Sequence, residues 1–189
     1  MRNLFICMLL ICAPSVYSQT SNDSTKKIWA TVGIGDYRSG RSEGFGFNIS
    51  ADYLKNNNYW KLRYIYTTEY LLLFNIIGLG PRPREKFNDI GILYGWVTKS
   101  KIFRFSIAGG IGILTGTERG ALLEAGTFTT HWYNIYEENH IFSPAIPLEV
   151  ELSLIPFRNL GIGVSGFANL NFENSMVGFT IKIEIGRIR

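Results

Sequence analysis

Charged side chains in this chain recur at alternate positions within stretches that are otherwise apolar or small, and any chemistry would begin there. Asp52, Lys61, Arg63, Glu69, Asp89, Arg104, Glu149, Glu151, Lys182 and Glu184 all share that setting. Alternate residues of a strand lie on one face of it. Charges on an enclosed face need opposite partners. Residues 55–58 (KNNN) suit a tight turn, and a simple hairpin register across it sets Asp52 opposite Lys61. The expected product is an interior network of ion pairs made by Asp52, Lys61, Arg63, Arg104, Glu149, Glu151, Lys182 and Glu184. It would act as a structural plug, with a narrow ion path or a binding crypt as the alternative use.

Other candidates are sparser. His131 and His140 are the only histidines, with Glu137, Glu138 and Ser143 close in sequence. A histidine, a serine and an acid can hydrolyse an ester or amide when their geometry converges. Two isolated histidines fall short of a metal site, and no metal or cofactor is expected. Thr115-Gly116-Thr117 and Leu79-Gly80-Pro81 lack the strand–loop–helix context of a phosphate cradle. The chain has 19 basic and 15 acidic residues, a formal net charge of +4. The basic residues are scattered and several take interior positions, so no nucleic-acid footprint is expected.

The elements that would hold these residues read clearly from residue 43 onward. Phe45, Phe47, Ile49, Ala51 and Tyr53 alternate with Gly44, Gly46, Asn48, Ser50 and Asp52. Val177, Phe179, Ile181, Ile183 and Ile185 alternate with Gly178, Thr180, Lys182, Glu184 and Gly186. A period of two means strand. Bulky apolar residues on one face, with glycine and charge on the other, imply an apolar outside around a polar inside. Eight strands are expected, at 28–38, 43–54, 59–70, 87–98, 102–114, 144–155, 160–172 and 176–188. In the seventh, Gly166 falls on the apolar face and Phe167 on the polar one, which a bulge would explain. Pro144 and Pro147 cannot donate to a ladder, so the sixth is expected to begin only near Leu148.

Short connections at 55–58, 98–101 and 156–159 share one end, and the long ones, 71–86 and 115–142, share the other. The first long loop carries Arg82, Arg84 and Lys86, suited to the phosphates of lipopolysaccharide. The second carries Phe128, Trp132, Tyr133 and Tyr136, aromatics of the kind used in recognition. Their spacing also permits a short β-extension or a helical lid. Binding through the loops is therefore assigned to Arg82, Arg84, Phe128, Trp132, Tyr133 and Tyr136.

The N-terminus adds a location. Arg2 precedes an apolar stretch, 4–13, too short to span a bilayer as a helix, and Val16 and Ser18 suit a cleavage site after residue 18. Residues 1–18 are expected to form a signal peptide, 19–27 a flexible lead-in and 28–189 a barrel. Cys7 and Cys12 both lie in the signal, which leaves no disulfide framework. The expected fold is all-β, an eight-stranded antiparallel up-and-down transmembrane β-barrel in the bacterial outer membrane.

These features together resemble the small outer-membrane β-barrel superfamily of Gram-negative bacteria, the OmpA-barrel and OmpX-like group. The segments NDIGILYGW (88–96), PLEVELSLIPF (147–157) and LGIGVSGFANLN (160–171) look like an uncharacterised subfamily of such barrels. The resemblance rests on pattern and carries no active site. It implies a non-enzymatic barrel whose outer loops serve surface interaction or envelope integrity, with outer-membrane lipid, lipopolysaccharide and an extracellular ligand or protein as partners. Lipid A deacylases share the architecture and use a His-x-Ser motif on a strand, which does not occur here. A lipid-modifying enzyme using His131 or His140 is the first alternative. A secreted lipocalin-like carrier is the second.

Overall fold

The alternation of bulky and small residues closes into a ring. The computed structural model describes residues 26–40, 42–55, 58–69, 83–98, 102–125 and 134–188. The expected signal peptide and most of the lead-in lie outside the described residues. Eight strands follow in order: β1 (Lys27–Ser39), β2 (Ser42–Lys55), β3 (Asn58–Glu69), β4 (Lys86–Val97), β5 (Phe103–Glu124), β6 (Ile135–Phe157), β7 (Leu160–Leu170) and β8 (Met176–Arg187). Each pairs antiparallel with its neighbours, and β1 pairs with β8 to complete the barrel. Closure removes the free edges that an open sheet would expose.

The two faces separate by residue type. On β8, Ile181 is 57 % exposed while Thr180 beside it is fully buried. Val32, Ile34, Ile90, Ile92, Ile111 and Ile183 also point outward. An exterior this apolar is stable against lipid tails rather than water, and the molecule is a transmembrane β-barrel. Asp52 of β2 pairs with Lys61 of β3, the register expected from KNNN.

Three expectations need correction. The segment 115–142 is a paired hairpin over much of its length, because β5 and β6 run to 22 and 23 residues. Pairing continues through Thr117↔His140 and Arg119↔Glu138, then becomes irregular near Leu122. That hairpin outreaches β4, whose pairing with β5 stops at Lys86↔Thr117, and β7, whose pairing with β6 stops at Ile146↔Leu170. Of the options its spacing left open, the β-extension is the one adopted.

The prolines do not delay β6. Pro144 lies beyond the reach of β7, so an N–H toward that side would have no ladder to join. Pro147 sits where the β5–β6 ladder is interrupted between Leu148 and Ala145. Finally, β7 has no bulge at Gly166: its pairing with β8 runs unbroken from Leu160 to Asn169. Phe167 points inward because Gly178 faces it. A Cβ on Gly178 would lie 2.5 Å from the Phe167 ring.

Candidate functional site

Between two apolar layers the barrel holds a chamber of charge. The lower layer, near the short turns, contains Trp29, Leu54, Tyr59, Leu93 and Val97. The upper one contains Tyr37, Ile65, Phe87, Leu114 and Phe167. An eight-stranded barrel is just wide enough for side chains to fill. Small inward residues such as Gly33, Ser50, Gly91 and Gly163 leave room for the long charged ones on facing strands.

The structure brings together all eight residues of the expected network. Lys61 Nζ lies 3.0 Å from Glu149 Oε1 and 3.5 Å from Asp52 Oδ1, and it also contacts Glu151. Lys182 contacts Glu151 and lies 3.9 Å from both Glu149 and Glu184. Arg63 donates from Nη2 to Asp89 at 2.6 Å, and its Nη1 lies 3.3 Å from Glu149. Arg104 reaches Glu184 at 2.5 Å and lays its guanidinium 4.1 Å from the Trp29 ring centroid. Five carboxylates therefore meet four cations inside the barrel, and all nine side chains are 5 % exposed or less.

Neutral residues complete the set. Asp52 accepts from Thr31 at 2.9 Å, Ser50 at 2.8 Å and the Tyr59 hydroxyl at 2.5 Å. Ser106 donates to Glu151 at 2.9 Å and Ser153 to Glu184 at 2.6 Å. Sequence reasoning passed over these hydroxyls, yet a signal existed. Ser50, Tyr59, Ser106 and Ser153 each stand two positions from a network charge, on the same inward face. Among the described residues this arrangement lies between two apolar layers, and its charges pair with one another.

A second polar site lies at the far rim, around the base of the projecting hairpin. Arg119 contacts Glu69, lies 3.4 Å from Glu85 Oε1 through Nε, and sits 5.5 Å from the Tyr136 ring centroid. This latch ties the hairpin to the ends of β3 and β4. Beside it, a cavity of about 480 Å³ is lined by Pro83, Arg84, Lys86, Thr117, Ile135, Tyr136 and Glu138. Two of the six expected loop-binding residues, Arg84 and Tyr136, thus share one cavity. The other four, Arg82, Phe128, Trp132 and Tyr133, lie outside the described residues.

The histidine candidates do not converge. His131 lies outside the described residues. His140 is exposed on the outer face of β6, paired with Thr117, whereas Ser143 is buried on the inner face. Their side chains are on opposite sides of the barrel wall.

Comparison with known proteins returns no match to a family model and none to a curated protein. Solved structures do match. Neisserial surface protein A aligns with a TM-score of 0.58 and 12% identity, covering 85% of this chain and 96% of that one. Ail, the attachment invasion locus protein of Yersinia pestis, gives 0.56 and 12% over 85% and 97%. The N-terminal β-barrel domain of Pseudomonas aeruginosa OprF gives 0.51 and 10% over 84% and 96%. At such identities the likeness is one of fold, and the fold is that of the small eight-stranded outer-membrane barrels.

Proposed function

We propose that this chain is a non-enzymatic barrel of the bacterial outer membrane, exported behind a signal peptide cleaved after residue 18. Its outer loops and projecting hairpin serve surface interaction, with outer-membrane lipid as the first partner. The observation that carries this is the contrast between an occupied interior and an extended exterior. Among the described residues the lumen holds paired charge between apolar layers. The hairpin of β5 and β6 reaches beyond both neighbouring strands, so residues 118–124 and 135–145 each have one edge outside the barrel ladder. Unpaired edges and aromatics above a membrane suit recognition of an extended or flat partner.

The test is to remove residues 120–137 and join Arg119 to Glu138 by a short turn. Unboiled, detergent-extracted protein should still migrate faster than boiled protein, since the barrel ladder does not need the hairpin tip. Aggregation, surface adhesion or detergent resistance of cells carrying it should be lost. His140→Ala should leave these properties and the lipid composition of the membrane unchanged. Wild-type behaviour of the trimmed variant, or a lipid change on altering His140, would favour the enzymatic alternative.

A further inference from the structure

At the short-turn end the exterior of the barrel is cationic. Outside the chamber, the ionic residues described there are Lys26, Lys27, Lys55, Arg158 and Arg187, all basic. Lys26, Lys55 and Arg187 are exposed, and none of the three makes an ion pair among the described residues. At the hairpin end, by contrast, Arg38 pairs with Glu43, and Arg119 with Glu69 and Glu85.

The register gathers the three exposed cations on adjacent strands, β8, β1 and β2. Arg187 pairs with Ile28, which pairs on its other side with Tyr53. Lys55 lies two residues beyond Tyr53 on the same outward face, and Lys26 directly precedes β1. Like charges gathered this way repel one another. An anion seated among them turns that repulsion into attraction.

The wall above the cations is shaped for a hydrocarbon chain. In the next outward row Ile185 pairs with Ala30, Ala30 with Ala51, and Ala51 with Leu62. Two methyl side chains thus stand side by side between Ile185, 60 % exposed, and Leu62, 54 % exposed. They form a shallow apolar groove that leads down to the cations. Tyr53 also pairs with Trp60, whose ring lies 4.8 Å from that of Tyr94. Amphipathic aromatics of this kind sit at the headgroup level of a bilayer. Arg187 shares that level with Tyr53 and Trp60, and Lys55 lies just beyond it.

We propose that this crescent binds an anionic phospholipid, with its phosphate on Lys26, Lys55 and Arg187 and an acyl chain in the Ala30–Ala51 groove. Arg187 can hold phosphate oxygens through two N–H groups, and the lysines act as point charges. A soluble acidic partner would gain nothing from the groove, and a zwitterionic lipid would leave the cations in excess. Short turns face the periplasm in barrels of this architecture, so the lipid belongs to the periplasmic leaflet.

The inference rests on the proposed membrane residence and lies at the end away from the hairpin. The mature barrel is refolded into phosphatidylcholine nanodiscs carrying rising fractions of phosphatidylglycerol, and amide resonances of Ile28 and Lys55 are followed. Saturable shifts are expected. Lys55→Gln and Arg187→Gln should each raise the half-saturating fraction about fivefold. Arg158→Gln removes the same charge from the β6–β7 turn, outside the crescent, and should change it less than about twofold. Ala51→Leu fills the groove at unchanged charge and should also weaken binding. Faster migration before boiling checks that each variant is folded. The proposal is overturned if the shifts rise without saturating, if Arg158→Gln matches Lys55→Gln, or if Ala51→Leu binds as wild type does. Such a failure would leave the effect of trimming residues 120–137 intact, so the two outcomes are distinguishable.

Discussion

Arg104 and Arg119 lie on the same strand, β5, and both pair with glutamates, yet they belong to different regimes. The Arg104 side chain is 5 % exposed and its partner Glu184 fully buried, inside the closed ring where Arg104 pairs with Ser153 of β6. The Arg119 side chain is 20 % exposed and sits above the last pairing of β4 with β5. In the ring, every strand has two neighbours, so inward residues have one permitted direction and must neutralise one another. On the hairpin, one neighbour is missing, and side chains on either face can reach water. The first regime sets shape. The second leaves surface available for binding.

The energetic contrast is correspondingly wide. Lys61→Met would leave Asp52, Glu149 and Glu151 without their shared cation, so five buried carboxylates would face three cations. Removing one partner from a buried ion network costs about 3–5 kcal/mol, enough to impair refolding in a urea titration. Glu149→Gln, which evens the charges at four against four, should cost less. An equal or larger cost for Glu149→Gln would show that charge balance does not govern the chamber.

Next in size is the lipid-facing wall. Ile181→Arg should destabilise by about 2–4 kcal/mol, the cost of a cation near the bilayer midplane. Thr180→Ser keeps an Oγ that can maintain the 2.7 Å contact with Ser165, and it should fall well below that in the same titration. Comparable losses would mean that the inward and outward faces are misassigned. The smallest effect belongs to the hairpin base. Arg119→Gln should cost no more than about 1 kcal/mol, as partly exposed ion pairs usually do. A loss as large as that of Lys61→Met would make the latch part of the barrel's foundation.

Legibility in the sequence follows the same division. The eight strands and the Asp52–Lys61 register come through because each inward residue is enclosed and each outward one meets lipid, giving a strict period of two. Above the membrane that constraint lapses. Glu118 to Glu124 and Ile135 to His140 remain strands through their mutual ladder, without the alternation of environment that would reveal them. Arg119 was hidden for that reason, and Glu85 with it. Phe167 was ambiguous for a different one. Its inward position depends on Gly178 in the next strand, a relation that only the register between β7 and β8 discloses. The prolines misled because their tolerance depends on where neighbouring strands end, which is a property of the sheet.

Residue-resolved hydrogen exchange of the refolded barrel in lipid nanodiscs tests the division most directly. Amides of residues 106–109, 112–114 and 148–153 should resist exchange, those of 106–109 and 148–153 being paired on both sides within the wall. Residues 120–124 and 135–138 should exchange far sooner, because the ladder there is irregular and one edge is open. Equal protection at the hairpin tip and in the wall, or rapid exchange throughout 106–109, would contradict the account.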